Sequence, residues 1–493
     1  MKITSLYIEG YKMFDPYITV NFNKEINVLI GVNGSGKSTI YEVIAKIFSE
    51  TKKYCELGRA LERDFNFQID YTVVKQITKE KDNKVIASKH YVILSTSGTG
   101  GTYYMTVDEE PVTDIKEMMT YLPDNLVFYY SGFCQTLQTI VKETETKQAE
   151  FFKGIRSESG IAKVYDYFSK LIIYIKPNRF SLLFLLNYIN EKNFSIPLQD
   201  TKYNFDHISL KFKKPDGFKN QNPLELFGFT GFLRLFIDNL LGYSNPIELD
   251  MEDNLPFIKV DNDISFIGAI QDIPNLPDEF MYDRNRYFLF HIINIMFEIG
   301  ILDEIFISVK EIESGKIIFI EDLSEGEQQL ITVSSIKKNL LKGNSLLIMD
   351  EPDAFLHPQR QRELIPYLEK INSESHHQML IATHSPFIAQ SVDINQILLF
   401  DKGKVNYFDT NILDFKAIAN SLFGVNERFN TDVEEKLNEF KEYREQILNN
   451  KQIDTNEFKK VISKLESFGE ETRVLVAREL SQLQRLKDLK LDE

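Results

Sequence analysis

Residues 31–38 (GVNGSGKS) carry the spacing GxxxxGK[ST] that is typical of a phosphate-binding loop. The apolar run Ile26–Ile30 before it predicts a strand, and residues 39–48 after it have apolar positions at helical spacing. In such a unit the glycines turn backbone N–H groups toward an anion, which the positive end of the helix also attracts. Lys37 could then reach the β- and γ-phosphates of a nucleotide, and the Ser38 hydroxyl could hold Mg²⁺. The predicted nucleotide contacts in this loop are Asn33, Gly34, Ser35, Gly36, Lys37, Ser38 and Thr39.

Two adjacent acids, Asp350 and Glu351, follow the apolar run 346–349, which predicts a buried strand. One carboxylate at a strand end can hold Mg²⁺ through water, and the next can orient a water molecule for attack. We therefore predict that Asp350 lies on the metal side and that Glu351 polarises the attacking water. The alternative is that the two acids only cap a strand.

Two further polar motifs lie on either side of the two acids in the sequence, at residues 323–329 and at His384. Ser324 and Gly326 lie in the sequence LSEGEQQ, directly before a predicted helix at residues 330–341. A serine hydroxyl, a glycine amide and the positive end of a helix together form another anion site. His384 follows the predicted strand 379–383.

With these four motifs in this order, the chain resembles the ABC ATPase superfamily. In that superfamily the loop that corresponds to LSEGEQQ completes the nucleotide site of the opposite subunit, so that ATP lies between two heads. The resemblance implies this role for Ser324 and Gly326, and a switch role at the γ-phosphate for His384. It therefore names Glu351 and His384 as the catalytic residues and ATP and Mg²⁺ as the cofactors.

The same resemblance implies a glutamine that helps to hold Mg²⁺, in a loop after the predicted strand 126–130. Gln135 is the candidate for this residue, and Gln138 is the alternative. The predicted metal-side residues are Ser38, Asp350 and Gln135.

The details of the motifs favour one branch of the superfamily. Residues 350–358 read DEPDAFLHP, with His357 where many ABC heads carry an aspartate, and His384 lies in the sequence THSP. These forms, together with the opening segment 6–14, resemble the OLD, RecF and SMC-like branch rather than the transporter ATPases. Lys12 stands where several members of that branch have a basic residue near the nucleotide.

The positions of these motifs and the pattern between them predict an α/β fold, an ABC-type P-loop ATPase head with a helical insertion and a helical C-terminal tail. Between the two halves of the site the chain is rich in aromatic residues with mostly helical spacing. Predicted strands lie at 3–8, 17–22, 26–30, 67–76, 85–94, 103–107 and 126–130. The predicted parts are 1–133 (N-terminal part of the head), 134–300 (mainly helical insertion), 301–410 (C-terminal part of the head) and 411–493 (helical tail).

The composition is that of a soluble globular protein, with 43% hydrophobic and 26% charged residues. We expect a cytoplasmic protein without a signal peptide or membrane contact, because no apolar run approaches the ~20 residues of a membrane span and only two cysteines occur. The net charge of −16 makes generic nucleic-acid binding unfavourable. The clearest basic run, which could be a solvated loop or a nucleic-acid contact, is Lys211, Lys213, Lys214 and Lys219.

The sequence supports neither the long coiled-coil arm nor the Toprim nuclease that related proteins carry. The insertion lacks the sustained heptads of a long coiled-coil arm. The DxD pair of a Toprim nuclease is missing after His384, and the DxD sequence at 261–263 reads as a polar turn. We therefore expect no nuclease activity in this chain.

What remains resembles the ATPase subunits of Septu-type anti-phage systems (the PtuA family), including retron-associated forms. This resemblance implies a regulatory or sensor subunit with slow or regulated ATP hydrolysis, which pairs head to head with itself and controls a separate HNH-type nuclease. Nucleic acid would then be contacted through the complex. The alternative is a RecF/SMC-like DNA-binding ATPase clamp that acts in repair. The apolar stripes of the tail, at 433–447 and 461–483, could dock a partner or form a core within the chain.

Overall fold

The computed structural model describes residues 1–58, 64–79, 84–96, 102–131, 135–154, 171–188, 191, 193–212, 257–260, 263–269, 286–373, 375–407, 431–449 and 451–487. Contacts divide the chain into two units, Met1–Leu413 and Asp414–Glu493. Lys213, Lys214, Lys219 and the first two residues of the DxD sequence lie outside the described residues.

The strands are β1 (Lys2–Tyr11), β2 (Phe14–Asn21), β3 (Ile26–Ile30), β4 (Asn66–Lys79), β5 (Lys84–Thr96), β6 (Tyr103–Val107), β7 (Glu110–Val112), β8 (Asn125–Tyr130), β9 (Leu171–Ile175), β10 (Phe194–Ser195), β11 (Lys202–Phe212), β12 (Phe257–Val260), β13 (Asp263–Ala269), β14 (Leu302–Glu311), β15 (Ile317–Phe319), β16 (Ser345–Asp350), β17 (Gln378–Thr383), β18 (Ile397–Asp401) and β19 (Lys404–Asn406). The helices are α1 (Lys37–Leu57), α2 (Ile115–Tyr121), α3 (Gln135–Gly154), α4 (Phe180–Tyr188), α5 (Arg286–Glu298), α6 (Glu325–Asn339), α7 (Pro358–Asn372), α8 (Pro386–Gln390), α9 (Thr431–Leu448), α10 (Thr455–Ser467) and α11 (Glu470–Lys487). All seven strands predicted in the first 130 residues are present. Among the described residues, no helix has both the length and the apolar character that crossing a membrane requires.

A seven-stranded sheet, which we call the central sheet, carries the sequence motifs. Its order is β19-β18-β3-β17-β16-β8-β9, and every pair is parallel except β18 with β19. Strands β3, β16 and β17 are buried along their whole length. They read as continuous apolar runs because both faces of a parallel sheet are covered.

An antiparallel sheet formed by β2-β1-β4-β5-β6-β7 faces the same core. Helix α1 buries Ile40, Val43, Ile44 and Ile47, which the helical period places on one side. These residues share a single apolar cluster with strands of both sheets, and Ile348 of β16 is one of its members. This apolar core therefore surrounds α1, which fixes the start of the helix relative to the central sheet.

A third sheet, with the order β12-β13-β11-β14-β15, was not predicted. The described part of the predicted insertion at 134–300 contains β9 to β13 as well as α3, α4 and α5. Across the predicted boundary at 300/301, β14 pairs along its length with β11 of the insertion, while β9 joins the central sheet instead.

The dense aromatic residues of this region explain why the third sheet was not predicted. Phe184 of α4 meets Phe194 of β10 with ring centroids 5.5 Å apart and Phe205 of β11 at 6.0 Å. Dense aromatic residues suit a strand and a helix equally well, so their spacing alone does not separate the two periods. The pairing of β11 with β14 joins residues about a hundred positions apart, which no local pattern reveals.

The second unit consists of α9, α10 and α11 in its described part. The predicted stripes form the core of this unit, so the intrachain interpretation of them is confirmed. Asp454 caps α10, accepting hydrogen bonds from the backbone N–H groups of Asn456 and Glu457. The buried members of the core are Val433, Leu437, Phe440, Phe458, Val461, Leu465 and Val476.

Candidate active site

The carboxyl ends of four neighbouring strands bring the predicted residues to one edge of the central sheet. The phosphate loop follows β3, His384 follows β17, Asp350 ends β16, and Tyr130 ends β8. In open α/β sheets, ligands bind outside this edge. The order β3-β17-β16-β8 therefore places the histidine strand between the strand of the phosphate loop and the strand of the two acids.

The phosphate loop needs two of its glycines for space and conformation. Gly36 has φ +114°, and a Cβ there would lie 2.9 Å from the ring of Phe14. A Cβ at Gly31 would collide with the backbone carbonyl of Phe400 on β18. Asn33 and Gly34 are exposed at the tip of the loop.

The N-terminus of α1 fits a phosphate group. The N-cap Gly36 offers no side chain to the first turn, and this turn holds no acidic residue. The first backbone N–H groups of a helix lack partners within the helix, so they can bind an anion. The Ser35 hydroxyl is buried without a hydrogen-bond partner beside them, and Thr39 lies in the same first turn.

Lys37 is buried, and its ammonium group folds back on the loop. Its Nζ donates to the carbonyl of Gly31 at 2.7 Å and to that of Val32 at 3.2 Å. It also lies 3.2 Å from Nε2 of His384. Burial lowers the pKa of Lys37, and the carboxylates of Asp350 and Glu351 oppose that shift.

Ser38 and Asp350 meet on the metal side of the site. The Ser38 hydroxyl donates to Oδ2 of Asp350 at 2.9 Å, and the Tyr130 side chain also forms a hydrogen bond with this carboxyl group. Burial raises the pKa of Asp350, while the two hydrogen bonds lower it. Oxygen ligands of this kind are those that Mg²⁺ prefers. The described residues hold no group of three or more His, Cys, Asp or Glu side chains that could bind a metal ion.

Glu351 adopts an unusual backbone conformation directly after β16. Its φ is +52°, which costs a non-glycine residue free energy and is often found at functional sites. Its N–H donates to the carbonyl of Ala382 at 2.8 Å, which holds the residue against β17. Its Oε1 lies 3.8 Å from Nε2 of His384, and the side chain is 48% exposed, so that water can reach it.

His384 connects the two halves of this cluster. The Lys37 ammonium and the Glu351 carboxylate both approach its Nε2 atom, at 3.2 Å and 3.8 Å. Burial lowers its pKa, the charge of Lys37 lowers it further, and the charge of Glu351 opposes both. The imidazole is therefore neutral at pH 7, and direct contacts join five predicted residues into two groups, Lys37–His384–Glu351 and Ser38–Asp350.

Ser324 and Gly326 lie at the N-terminus of α6 and belong to neither of these two groups. Ser324 is exposed and caps α6, and a Cβ at Gly326 would lie 3.1 Å from the carbonyl of Phe355. In the part of the chain that the structure describes, no hydrogen bond joins either residue to the phosphate loop. This position agrees with a role outside the nucleotide site of the same subunit.

Gln135 begins α3, beyond the carboxyl end of β8 and behind the undescribed residues 132–134. Its side chain is exposed, while Gln138 is half-buried one turn later. Among the described residues neither side chain is hydrogen-bonded to Asp350. The assignment of Gln135 as a metal-side residue therefore stays a prediction, with Gln138 as its alternative.

Several residues at the site were not predicted from the sequence. Gln329 donates from Nε2 to the carbonyl of Pro352 at 2.8 Å and accepts from the Tyr129 hydroxyl at 2.6 Å. It thereby ties α6 to the segment after the two acids. The buried Asp353 has its pKa raised to about 6, mainly by burial. Two glutamines in succession after LSEGE gave no signal that the second one is buried.

Lys12 contacts α1, the helix that begins at the phosphate loop. It forms an ion pair with Glu42 on the outside of α1. The neighbouring Met13 and Phe14 are the residues that approach the phosphate loop, at Gly36. The turn between β1 and β2 therefore supports the loop by packing.

Known proteins similar to this chain include a retron ATPase and import ATP-binding proteins. The "Retron Vc95 probable ATPase" of Vibrio cholerae serotype O1 biovar El Tor is 22% identical over 429 residues, which cover 82% of this chain and 74% of that protein. The molybdenum import ATP-binding protein ModC of Pseudomonas aeruginosa is 41% identical over only 86 residues, 17% of this chain and 22% of ModC.

Solved structures of SMC heads are similar along most of the chain. An SMC head bound to the C-winged helix domain of ScpA is 13% identical and covers 83% of this chain and 98% of that chain, with a TM-score of 0.35. The SMC head domain from Thermotoga maritima is 11% identical, covers 83% of this chain and all of that domain, and has a TM-score of 0.34.

The family model of the RecF/RecN/SMC N terminal domain matches residues 2–406, which include every predicted site residue. The fold is accordingly the α/β P-loop ATPase fold of this class, with a helical C-terminal region. The chain belongs to the RecF/RecN/SMC N-terminal domain family and is an ATPase of the SMC and RecF type.

Proposed function

We propose that this ATPase is the regulatory or sensor subunit of a cytoplasmic anti-phage defence system of the Septu type. In this proposal two heads pair around ATP, hydrolysis is slow or regulated, and the paired state controls a separate HNH-type nuclease. The observation that carries the ATPase part is the contact of Lys37 and Glu351 with the same histidine, His384. The defence role is supported by the similarity to a retron ATPase over 82% of the chain.

In this proposal, different residues of the site would bind the phosphates, hold Mg²⁺ and activate the attacking water. The loop amides and Lys37 would bind the β- and γ-phosphates, and Ser38 and Asp350 would hold Mg²⁺, which neutralises charge on the transferred phosphoryl group. Glu351 would take the proton of the attacking water as general base. His384 lies 3.2 Å from the Lys37 ammonium and would contact the γ-phosphate from the side of β17.

Pairing would add Ser324 of a second copy to the nucleotide site of the first. Ser324 presents an exposed helix N-terminus, where a hydroxyl and backbone N–H groups can bind phosphate. Within its own chain it is bonded to Glu327 rather than to the phosphate loop. A second copy could therefore place its Ser324 at the γ-phosphate, which would make pairing dependent on ATP.

The test is the mass of the Glu351→Gln variant, measured by light scattering with and without ATP and with plasmid DNA present or absent. We expect ATP to convert monomers into dimers and plasmid DNA to be neither retained nor cut. Ser324→Arg on the same background should bind ATP and stay monomeric. A mass that ATP leaves unchanged would contradict head pairing.

The second candidate function is a DNA-binding clamp that acts in repair, and the match to the RecF/RecN/SMC family model favours it. It predicts that the isolated chain retains DNA when ATP is bound. The same light-scattering experiment separates the two functions, because only the clamp forms a complex with plasmid DNA alone.

The nuclease partner needs its own test. We expect the chain to copurify with an HNH-type protein when it is coexpressed with the proteins encoded beside it, and we expect DNA cleavage only in that complex. Cleavage by the chain alone would contradict the expectation that it carries no nuclease activity.

A further inference from the structure

A chain of side-chain hydrogen bonds connects the inserted region to Ser324. Oε2 of Glu327 accepts from the Ser324 hydroxyl at 2.8 Å and from the Ser324 N–H at 2.9 Å. The other carboxylate oxygen, Oε1, accepts from Nε2 of Gln199 at 2.9 Å. The carboxylate of Glu327 is therefore bound at both oxygens, by Ser324 on one side and by Gln199 on the other.

These bonds fix the N-terminus of α6. Glu327 and Ser324 form a reciprocal capping box, in which the Glu327 N–H also donates to the Ser324 hydroxyl. The box sets the rotamer of Ser324 and the direction of the first N–H groups of the helix. These are the groups that would meet a phosphate from the opposite subunit.

Gln199 is itself held firmly. It follows Leu198, whose φ of +59° marks a tight turn, and its N–H donates to the carbonyl of Ile196 at 3.1 Å. This turn leads from β10 into β11, which pairs with both β13 and β14 in the third sheet. A displacement of the third sheet would therefore move the donor that holds Glu327.

A second contact reaches the same segment from the inserted region. The Ser181 hydroxyl of α4 donates to Oε1 of Glu321 at 3.0 Å, upstream of Ser324. This bond touches neither Glu327 nor Ser324. It offers a matched comparison, since it joins the same two parts of the chain without involving the capping box.

We propose that Gln199 is a positioning residue for head pairing, which acts through Glu327 on Ser324 and so couples the third sheet to the interface between two heads. The inference rests on the head pairing proposed above. A partner or ligand that shifts the turn at Gln199 would weaken the capping box and loosen the pair without touching the bound nucleotide.

The test uses Gln199→Ala on the Glu351→Gln background. Loss of one such hydrogen bond weakens an interaction about threefold, and a symmetric pair contains it twice, so we expect a dimer dissociation constant ~10-fold higher with ATP. ATP binding to a single head, measured on the Ser324→Arg background, should not change. Ser181→Ala should leave the dimer dissociation constant unaltered.

A double-mutant cycle with Glu327→Ala distinguishes positioning from general destabilisation. Once Glu327 is removed, Gln199→Ala should have no further effect on pairing, whereas a merely structural role would give independent effects. If Glu351→Gln with an intact Gln199 fails to pair, the proposed function fails and this inference with it. If it pairs and Gln199→Ala leaves the dimer unchanged, only the coupling is contradicted.

Discussion

Single residues at the active site hold the charges in place before any ligand binds. Lys37 is bonded to two carbonyls of its own loop, and Glu351 is held in a left-handed backbone conformation against β17. Both reach His384, whose lowered pKa keeps it uncharged near neutral pH. An uncharged imidazole can lie beside the Lys37 ammonium without charge repulsion.

At this scale, Lys37→Ala should abolish ATP binding, because the substitution removes the ammonium group that is predicted to bind the β- and γ-phosphates. Isothermal titration calorimetry should detect no binding at ATP concentrations that saturate the wild-type chain. Lys52→Ala is the control, since Lys52 pairs with Glu56 near the C-terminal end of α1, far along the helix from the phosphate loop. Wild-type affinity in Lys37→Ala would rule out the phosphate-loop assignment.

Glu351→Gln should keep ATP affinity and lower kcat by ~10²–10⁴, the contribution expected of a general base. The amide keeps the size and position of the side chain but does not take a proton from water. Steady-state phosphate release measures kcat, and Glu325→Gln serves as a control for the loss of one acidic charge. Unchanged turnover would mean that another group activates the water.

At the scale of elements, α6 acts as the connection between the two halves of the site. Its first turn carries Ser324 as cap, and Gln329 in its second turn bonds to Pro352 and Tyr129. The helix thereby contacts both the segment that follows the two acids and the end of β8. A movement of α6 on pairing would be transmitted directly to the backbone beside Glu351.

Gln329→Leu tests this connection. The Tyr129 hydroxyl and the Pro352 carbonyl would be left buried without partners, at a cost of about 1–3 kcal/mol in unfolding free energy for each group. Denaturant unfolding measures the loss, and kcat should fall because the segment after Asp350 is no longer held. In the double variant Tyr129→Phe and Gln329→Leu the stability loss should be smaller, because the unpaired hydroxyl is gone. Additive losses would contradict the hydrogen-bonded arrangement.

At the scale of the whole molecule, buried histidines make the stability of the first unit depend on pH. Burial lowers the pKa of His377 to about 4 and that of His291 to about 3. Below the ordinary histidine pKa of 6.5 these two histidines become protonated in the unfolded chain while they stay neutral in the folded chain. Their contribution to the free energy of unfolding is therefore fully present above pH 6.5 and is lost as the pH drops. Asp353 acts in the opposite sense, because its pKa is raised and its protonation favours the fold below about pH 6.

We expect the melting temperature to fall between pH 7 and pH 5, with each histidine contributing a loss of up to about 2 kcal/mol at pH 5. His377→Gln and His291→Phe remove one titrating group each. Differential scanning fluorimetry at both pH values should therefore show a smaller drop in the double variant than in the wild type. An equal drop would assign the acid sensitivity to other groups.

The division into two units gives a further prediction. All predicted site residues lie within Met1–Leu413, and α9, α10 and α11 have an apolar core of their own. A chain that ends at Leu413 should therefore bind ATP with wild-type affinity, which calorimetry would show. Loss of ATP binding in the shortened chain would mean that the second unit supports the site.

The sequence alone was sufficient for the local parts of the site. The phosphate loop, the two acids and the histidine each follow an apolar strand, and their spacing identifies them because the chemistry is carried by consecutive residues. The early strands were predicted for the same reason, since the hydrophobic period acts over a few neighbouring positions.

Only the tertiary structure decided what depends on distant pairing. It placed His384 between Lys37 and Glu351 and brought Gln329 to Pro352. It also turned part of the expected helical insertion into a sheet and joined Gln199 to the cap of Ser324. These pairings and contacts join residues from 23 positions apart, for Gln329 and Pro352, to 347 positions apart, for Lys37 and His384. They leave no local period in the sequence, so the burial and partners of these groups arise only when the whole chain folds.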